Sequence, residues 1–413
     1  MVKLCIITHS YPRFEGDWRS NFIESLATSY ARKNVDVTVF VPYAINFTRA
    51  PKDKEGVKIV SYKYLPFRSL HTIGYGHSMK SDLKINLLDL LLMPFLLFVG
   101  TMRFAVLLRK EKFDLIQAHW AVPNALIAVF GRALAFSPAK IFTSFPGSDV
   151  TVITRLGWIG KIIGKIVARS DYLSCNSSDL KEDLGKAGIE KNKIDLVIYG
   201  VDDEKICFSW KERAALRGSW ELSEDEIVLL MIGRFVPKKG FSTAFQSLKH
   251  ITEYTKRVML VVVGDGPLKN EYFAILKKDR TESYVKFVGE IPTQELGNYY
   301  SACDIFLMPS RRLPSDGLNV VVPEAMACAR PIVASNVGGN DLVVFNGVNG
   351  YLHEENDPKQ LANLVIRLTE NPELRRDLGN HSLKLVKERF TWNAITKYYL
   401  ERYDDNVSKK NND

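Results

Sequence analysis

Residues 227–240 read IVLLMIGRFVPKKG, a stretch in which a wholly apolar run passes into a basic loop bounded by glycines. The six apolar residues at 227–232 have the length and composition of a β-strand that is buried on both faces. The loop ends at Gly240, and a helical pattern begins near Phe241. A buried strand, a short loop and a helix form the repeating unit of a parallel sheet covered by helices.

The same alternation continues toward the C-terminus. Further strands are predicted at residues 258–263, 285–288, 305–308 and 331–334. The helices that accompany them are predicted to start near Pro267, Pro292, Pro323 and Pro358. Proline suits a first helical position because its missing N–H has no intrahelical partner there. This half of the chain is therefore predicted to form a doubly wound domain.

The N-terminal half shows a second alternating series. Its predicted strands are residues 2–8, 35–41, 113–118, 140–145, 172–176 and 193–199, and a helix with one apolar stripe is predicted at 21–33. The sequence thus predicts an α/β protein of two doubly wound, Rossmann-like domains that face each other across a cleft. Ligands of such sheets bind at the carboxyl ends of the strands, so the cleft is the expected site.

The domain boundaries are predicted from changes in this pattern. Residues 1–200 form the first predicted domain and residues 224–389 the second. Between them, residues 201–223 are polar, charged and without a clear period, and are predicted to be the interdomain linker. Residues 390–413 are predicted to hold a terminal helix and a polar tail, with disorder expected at 404–413.

Composition and charge limit the class of protein. The 413 residues are 46% hydrophobic and 25% charged, which excludes a disordered or collagen-like chain. Five scattered cysteines without a CxxC pair favour a reduced, cytoplasmic location and argue against a structural zinc site. The apolar run at 2–8 is too short for a signal peptide. The formal net charge of +9 suits a polyanionic partner, such as nucleic acid, an anionic membrane or a phosphorylated ligand.

The basic loop at 233–240 offers groups that could hold phosphate. Arg234 can form a bidentate fork, and Lys239 supplies a compact positive charge. N–H groups at the start of the next helix add the positive end of a helix dipole. These groups together suit a diphosphate held without a metal ion. A basic surface loop that binds nothing would have the same composition, so the loop alone leaves both interpretations open.

Two further segments lie at predicted strand ends of this half. Gly264, in the sequence VGDGP at 263–267, would allow close backbone approach, although an ordinary strand-to-helix turn would look the same. The segment at 316–327 holds two carboxylates, Asp316 and Glu324, around a glycine turn and a helix start. A carboxylate there could accept hydrogen bonds from two vicinal hydroxyls of a ribose or a hexose. An acidic helix N-terminus stabilised by the helix dipole explains the pattern equally well.

In this order and spacing, the motifs resemble those of family-4 retaining glycosyltransferases of the GT-B fold. The C-terminal half contains the family's Gly-Arg…Lys-Gly loop at 233–240, its Gly-Asp-Gly-Pro turn at 264–267, the acidic pair before Ala-Met-Ala at 325–327 and the Gly-Gly turn at 338–339. The N-terminal half is looser and is similar at YPRFEG (11–16), AHWAVP (118–123), YGVD (199–202) and FTW (390–392). In this fold the terminal helix crosses back onto the first domain.

The resemblance implies a role for each matching position. Arg234 and Lys239 would bind the donor diphosphate, Glu324 would bind the ribose hydroxyls, and Asp316 would contact the transferred sugar. Arg234, Lys239 and Asp316 make up the implied catalytic set. The rest of the implied donor site is Gly16, Gly264, Gly317, Leu318, Asn319 and Val320, and the acceptor or sugar side has His119 and Asp149.

Two positions depart from the family pattern. The family usually has Glu where this chain has Asp316, which is one methylene shorter, so the sugar contact would be longer or the sugar different. The family commonly has His, which often touches the donor sugar, where this chain has Pro146. That contact would be lost or would be supplied by His119.

The implied reaction moves a hexose-type sugar from a nucleoside-diphosphate sugar to a hydroxyl acceptor with retention of configuration, in surface polysaccharide or glycolipid assembly. It implies no metal ion and no cofactor besides the nucleotide-sugar co-substrate. A nucleotide-sugar 2-epimerase on the same fold stays an alternative, as does a polyanion-binding protein without activity. No stacking motif or recognition helix indicates nucleic acid. Residues 9–16 lack the G-x-G-x-x-G fingerprint of a dinucleotide-dependent oxidoreductase.

Two segments of the N-terminal half are candidates for membrane contact. Residues 83–108 are very apolar, but interruptions at Asp89, Pro94 and Arg103 predict that the segment is too short to span a bilayer. Residues 155–169 have the pattern of a cationic interfacial helix. One face of this helix carries the basic residues Lys161, Lys165 and Arg169. Another face carries the apolar residues Trp158, Ile162 and Ile166.

Two ordinary helices that cover the first sheet would show the same patterns. An anionic membrane surface on the inner face of the plasma membrane therefore stays open as a partner. The acceptor stays open in the same way, as a saccharide or a lipid-linked saccharide.

Overall fold

Two parallel β-sheets organise the computed structural model, one in each of two units. The first unit contains Met1–Asn176, Leu180–Val197 and Ile395–Asp413, and the second contains Ser177–Asp179 and Ile198–Ala394. The structure describes residues 1–15, 17, 20–49, 54–74, 79–81, 84–85, 87–312 and 317–412. Two of the predicted site residues, Gly16 and Asp316, lie outside these described residues.

The strands of the first unit are β1 (Lys3–Ile7), β2 (Asp36–Pro42), β3 (Lys58–Tyr62), β4 (Met79–Ser81), β5 (Lys84–Ile85), β6 (Leu115–His119), β7 (Lys140–Phe145), β8 (Tyr172–Cys175) and β9 (Ile194–Leu196). Seven of them form a parallel sheet in the order β3-β2-β1-β6-β7-β8-β9, and β4 and β5 form a small antiparallel pair. The chain first winds from β1 toward β3 and then returns to the other side of β1 as β6. The winding direction therefore reverses between β1 and β6.

The helices of this unit are α1 (Asn21–Ala31), α2 (Leu87–Lys110), α3 (Leu126–Ala135), α4 (Ser148–Arg155), α5 (Trp158–Val167) and α6 (Ser178–Lys186). Leu96 and Phe104 of α2 and Ile127 of α3 are fully buried in one apolar core with the sheet. Helices α2 and α3 approach closely, since a Cβ atom on Gly131 would lie 2.6 Å from the Phe104 ring. Both helices are therefore integral parts of the domain.

Helix α2 corrects one expectation from the sequence. It continues without a break for 24 residues and includes Pro94, and by length and composition it is long and apolar enough to cross a membrane. The prediction that this segment is too short is therefore wrong. Within the protein, 33% of its most apolar window is buried. Its one acidic residue, Asp89, is buried too and accepts a hydrogen bond from the Thr72 hydroxyl.

Among the described residues, the second unit contains six strands, seven α-helices and the start of an eighth. They are α7 (Trp210–Ser219), β10 (Ile227–Ile232), α8 (Phe241–Tyr254), β11 (Val258–Val263), α9 (Lys269–Asp279), β12 (Val285–Gly289), α10 (Leu296–Ala302), β13 (Ile305–Met308), α11 (Val321–Ala327), β14 (Ile332–Ser335), β15 (Gly350–His353), α12 (Pro358–Glu370) and α13 (Pro372–Leu385), with the start of α14 (Trp392–Asn412). The sheet is parallel in the order β12-β11-β10-β13-β14-β15. Its winding reverses between β10 and β13.

The segment expected to be a linker contains a helix of the second unit. Helix α7 occupies part of residues 201–223 and packs against α10. Its first turn is capped by Ser209, whose hydroxyl accepts a hydrogen bond from the Glu212 N–H at 3.3 Å. Arg213 and Arg217 of α7 both bond to Asp304 at the start of β13, at 2.8 and 3.0 Å. The helix is therefore fixed to the sheet.

The C-terminal segment is helical over most of its length. Helix α14 continues through Asn412, so the polar tail at 404–412, expected to be disordered, extends this helix. From Ile395 onward the segment belongs to the first unit. There the Thr396 hydroxyl lies 3.0 Å from the Ser29 hydroxyl of α1, and the Tyr399 hydroxyl lies 3.0 Å from the Ser174 hydroxyl of β8.

Candidate active site

The loops that carry the predicted donor-binding residues leave the second sheet where its winding reverses. The basic loop follows β10, and residues 309–312 follow β13, the neighbouring strand on the other side of the reversal. Open α/β sheets bind ligands outside the carboxyl ends of the strands at such a reversal point, because neighbouring loops there turn in opposite directions and leave a crevice. The fold thus provides a ligand site at the motif identified from sequence.

The basic loop is anchored on both sides of Arg234. The Gly233 N–H donates to the Val263 carbonyl at 3.0 Å, and the Phe235 N–H donates to the Asp265 carbonyl at 2.9 Å. The Phe235 ring is fully buried, with its centroid 4.9 Å from that of Phe241. Arg234 is exposed between these two anchors. The backbone on both sides of Arg234 is therefore fixed at the strand end, and the residue itself is exposed.

Two glycines are required by the geometry of this site. Gly240 has a φ of 68°, and a Cβ atom there would lie 1.6 Å from the Pro309 carbonyl oxygen, so the basic loop and the loop after β13 meet backbone to backbone. Gly264 has a φ of 128°, and a Cβ atom would lie 2.0 Å from the Gly233 carbonyl oxygen. Side chains at either position would push the loops apart.

Lys239 lies next to the turn that precedes α11. Its ammonium group donates a hydrogen bond to the side-chain oxygen of Asn319, and the Asn319 amide nitrogen donates to the Ser310 hydroxyl at 3.2 Å. Gly317 and Leu318 of the same turn are buried, and Val320 is exposed. The structure therefore brings together Lys239 and the predicted donor-binding residues Gly317–Val320, which are far apart in sequence.

Glu324 lies in the first turn of α11 and has an orienting partner. The Tyr300 hydroxyl of α10 donates to the Glu324 carboxylate at 2.6 Å. Burial raises the pKa of Glu324 to about 7, although the Tyr300 hydrogen bond lowers it. A carboxylate held in this way still has a second oxygen that could accept from a ligand hydroxyl. Sequence reasoning missed Tyr300, because nothing in the spacing of two residues on different helices indicates their contact.

His119 ends β6 at the point where the winding of the first sheet reverses. It is 1% exposed, and its ring packs edge-on against Phe22 with the centroids 6.4 Å apart. Burial lowers the pKa of His119 to about 3, so its imidazole is neutral at physiological pH. A second histidine missed from sequence, His9, follows β1 at the same reversal point.

His9 is partly exposed and fixed by two contacts. The Asn124 amide nitrogen lies 3.0 Å from Nδ1 of His9, and the Trp120 and His9 rings have centroids 4.4 Å apart. Asn124 also donates to the His119 carbonyl at 2.6 Å. Burial lowers the pKa of His9 to about 4. The only sequence signal for this residue is its position directly after the first strand.

Asp149 joins the loops after β6 and β7. Its carboxylate accepts hydrogen bonds from the Ala121 N–H at 2.7 Å and from the Gly147 N–H at 3.2 Å. Burial raises the pKa of Asp149 to about 6. Pro146, at the position where the family commonly has His, directly precedes Gly147 in the loop after β7. Asp149 thus positions the backbone of this loop.

The sequence matches two protein-family models. Residues 20–205 match the model described as Glycosyltransferase Family 4, and residues 212–384 match that of Glycosyl transferases group 1. Between them the two models cover the whole second sheet and every strand of the first sheet except β1.

Curated relatives include enzymes that act on different acceptors. N-acetyl-alpha-D-glucosaminyl L-malate synthase of Bacillus anthracis is 27% identical over 73% of this chain and 77% of its own length. The GDP-mannose-dependent monoacylated alpha-(1-6)-phosphatidylinositol monomannoside mannosyltransferase of Corynebacterium glutamicum is 26% identical over 70% of this chain and 76% of its own length.

Solved structures share the fold across nearly the whole chain. Anabaena HepE, crystallised in complex with UDP, is 17% identical and matches with a TM-score of 0.73 over 98% of this chain and all of that one. Sucrose-phosphate synthase of Thermosynechococcus elongatus is 20% identical and matches with a TM-score of 0.74 over 99% of this chain and all of that one. With both family models matched and this fold, the chain belongs to the family-4 glycosyltransferases of the GT-B fold.

Proposed function

We propose that this glycosyltransferase moves a hexose-type sugar from a nucleoside-diphosphate sugar to a hydroxyl acceptor, with retention of anomeric configuration and without a metal ion. One observation carries the proposal: Lys239, bonded to Asn319, lies where the loops after β10 and β13 meet, in the same loop as the exposed Arg234. Two cationic side chains at a strand-end crevice provide the charge that a diphosphate needs.

Each group around this crevice has a proposed role. Arg234 and Lys239 bind the diphosphate, together with backbone N–H groups of the turn at 318–320. Glu324, oriented by Tyr300, accepts hydrogen bonds from the ribose hydroxyls. Gly264 admits the nucleotide close to the backbone. We assign the contact with the transferred sugar to Asp316 from the family resemblance alone.

Relatives support a nucleotide-sugar donor without identifying it. The Corynebacterium relative is named as dependent on GDP-mannose, and HepE has been crystallised with UDP-glucose. Donors with different bases and sugars thus occur among proteins of this fold. The base and sugar of the donor for this chain have to be found by experiment. We propose a saccharide or lipid-linked saccharide acceptor, and a cytoplasmic place of action in surface polysaccharide or glycolipid assembly.

In the proposed reaction the bond between the anomeric carbon and the diphosphate oxygen breaks. The acceptor hydroxyl attacks the same face of the sugar, and its proton passes to an oxygen of the departing diphosphate. Arg234 and Lys239 stabilise the negative charge that develops on the leaving diphosphate in the transition state. This stabilisation lowers the activation free energy of the transfer. No nucleophilic side chain is required by this scheme.

The experiment that tests the proposal is a nucleotide-sugar screen with the full chain. A true donor should raise the melting temperature by mass action, and it should release nucleoside diphosphate only when an acceptor is present. Absence of binding by any nucleotide sugar contradicts the proposal. Conversion of the nucleotide sugar to its C2-epimer without an acceptor, and without net release of nucleoside diphosphate, would instead identify a 2-epimerase.

A further inference from the structure

Three neighbouring helices of the first unit expose large apolar side chains. Helix α3 packs against both α2 and α5, so the outer faces of the three helices form one surface, here called the α2–α3–α5 surface. On α2 the exposed residues follow a stripe with steps of three or four: Leu87, Leu91, Phe95, Phe98, Met102 and Val106. Phe130 and Leu134 of α3 and Trp158 and Ile162 of α5 are exposed as well.

Helix α2 is apolar on both of its faces. Its inner face carries the fully buried Leu96 and Phe104, whereas Phe98 on its outer face is 65% exposed. A helix that is apolar all round is normally surrounded by protein or by lipid. Because its inner face is part of the domain core, α2 cannot leave the sheet to span a bilayer. Its outer face alone is available to an apolar partner.

The charges on this surface have one sign. Helices α2, α3 and α5 together contain six basic residues and one acidic residue, the buried Asp89. Arg132 of α3 is paired with Asp171 at 2.6 Å, and the other five basic residues are exposed. Lys161 and Lys165 of α5 are exposed, as is Arg169 directly after it. Trp158 on the same helix is 73% exposed. The three helices thus expose apolar and basic side chains and no acidic side chain. This combination is complementary to the interface of an anionic bilayer, where acyl chains lie below phosphate groups.

We propose that the α2–α3–α5 surface docks in the plane of an anionic lipid membrane, with the outer stripe of α2 inserted at the level of the acyl chains. The alternative occupant, a second copy of this chain, is disfavoured by charge. A twofold contact through this surface would place the basic residues of one copy against those of the other without acidic partners from these helices.

Docking of the α2–α3–α5 surface on a membrane would also affect how the acceptor enters. This consequence rests on the proposed function. Helix α2 ends four residues before β6 begins, so its C-terminal end lies at the amino edge of the sheet and its N-terminal end toward the carboxyl edge. His9 and His119 lie at that carboxyl edge. A membrane against α2 would therefore lie beside the edge where an acceptor attached to lipid would enter.

The experiment is co-sedimentation of the full chain with vesicles of phosphatidylcholine alone and of phosphatidylcholine with phosphatidylglycerol. We expect the wild type to sediment with the anionic vesicles. The variant Leu91→Gln/Phe95→Gln/Phe98→Gln should lose at least ~100-fold in partitioning, since three inserted side chains become polar. The variant Lys161→Ala/Lys165→Ala/Arg169→Ala should lose roughly 100-fold at physiological salt, and only on anionic vesicles.

Matched controls lie in the second unit, where exposed residues of the same kinds are available. Trp210→Gln/Phe273→Gln/Val348→Gln and Lys249→Ala/Lys277→Ala/Lys278→Ala make equal changes in apolarity and charge, and both should bind vesicles like the wild type. A wild type that stays in the supernatant with anionic vesicles overturns the proposal. The proposal is also overturned if the wild type does not bind vesicles and light scattering shows that it forms a dimer which the α2 variant abolishes.

The same variants separate this proposal from the proposed function. Nucleotide-sugar binding, followed by thermal shift, should be unchanged in both membrane variants, because their residues belong to the first unit and the proposed diphosphate-binding residues belong to the second. Loss of vesicle binding with intact donor binding supports the docking surface. If the wild type binds vesicles but neither it nor any variant binds a nucleotide sugar, the result supports the docking surface and contradicts the proposed donor site.

Discussion

Burial raises the pKa of Glu324, and its proposed role at the ribose predicts that donor binding depends on pH. The carboxyl group is largely neutral below pH 7 and ionised above it, since burial raises its pKa to about 7. An ionised carboxylate accepts hydrogen bonds from ribose hydroxyls better than the neutral acid does. We therefore expect the KM for the nucleotide sugar to fall by roughly 10-fold between pH 6 and pH 8.

Steady-state kinetics across that range will test this prediction with two variants. Glu324→Gln should remove the pH dependence near 7 and keep a high KM throughout. Asp149→Asn is the matched control, because Asp149 also has a raised pKa but bonds only to backbone N–H groups in the first unit. A pH dependence that persists in Glu324→Gln would show that another group is responsible.

Arg234 and Lys239 are expected to act on the reaction barrier. Replacing either with Ala should lower kcat by roughly 100- to 1,000-fold while the fold is retained, by analogy with the loss of one oxyanion-hole donor, worth roughly 2.7–4 kcal/mol. Lys277→Ala on α9 removes an exposed cation from the same unit and should leave kcat unchanged. Wild-type turnover in both loop variants would contradict the diphosphate assignment.

The residues of the site differ in how far sequence reveals them. The positions of Arg234, Lys239 and Glu324 at a strand end or a helix start are predictable from the sequence pattern, whereas their ligand-binding roles come from the family resemblance and stay predictions. Tyr300 and His9 act through partners on other elements, and single-sequence patterns do not record contacts between elements. For Asp149, the place on the acceptor or sugar side stays a prediction, and the structure adds that its carboxylate accepts hydrogen bonds from the Ala121 and Gly147 N–H groups.

At the scale of the elements, the close contact between the basic loop and the loop after β13 depends on Gly240. Gly240→Ala places a methyl group against the Pro309 carbonyl in a left-handed conformation. We expect a loss of roughly 2–4 kcal/mol in unfolding free energy, from about 1 kcal/mol for the conformation and 1–3 for the overlap. Gly289→Ala has a similar φ of 85° but open space around it, and should lose only about 1 kcal/mol. Urea unfolding of both variants measures the difference, and equal losses would show that the loops can separate without penalty.

Helix α7 is fixed by buried arginines. Arg217 is 1% exposed, bonds to Asp304 and donates to the carbonyls of Ser223 and Glu226 at 2.7 Å. Arg217→Ala should lower the unfolding free energy by about 3 kcal/mol, because it leaves a buried carboxylate and two carbonyls with fewer partners. Lys211→Ala, at an exposed position of the same helix, should change it by less than about 0.5 kcal/mol. Similar denaturation midpoints for the two variants would contradict the role of Arg217.

The same arginines explain why sequence patterns missed α7. Its buried positions are Arg213 and Arg217, so the apolar period that identifies a helix is absent. The central strands β10 and β11 are uninterrupted apolar runs and were predicted with their observed bounds. The strands β3 and β15 at the sheet edges were missed, because they are short and each includes polar residues.

At the scale of the whole molecule, positive charge is used in two chemically different ways. Arg234 and Lys239 of the second unit lie on a strand-end loop whose backbone is anchored by hydrogen bonds. The cations of α2, α3 and α5 lie on exposed helix surfaces beside apolar side chains. Cations on an anchored loop suit a bound diphosphate, whereas mobile side chains suit a fluid lipid surface. The net charge of +9 therefore does not require nucleic acid as a partner.

The last prediction concerns the reaction as a whole. If Arg234, Lys239 and backbone N–H groups supply the positive charge for the departing diphosphate, as proposed, transfer should continue in excess EDTA at the rate measured without it. The product should keep the anomeric configuration of the donor, since the proposed acceptor attacks the face that the diphosphate leaves. Proton NMR of the first product formed measures the configuration through the anomeric coupling constant. Loss of activity in EDTA with recovery on Mn²⁺ would contradict the proposed charge balance, and an inverted product would contradict the proposed direction of attack.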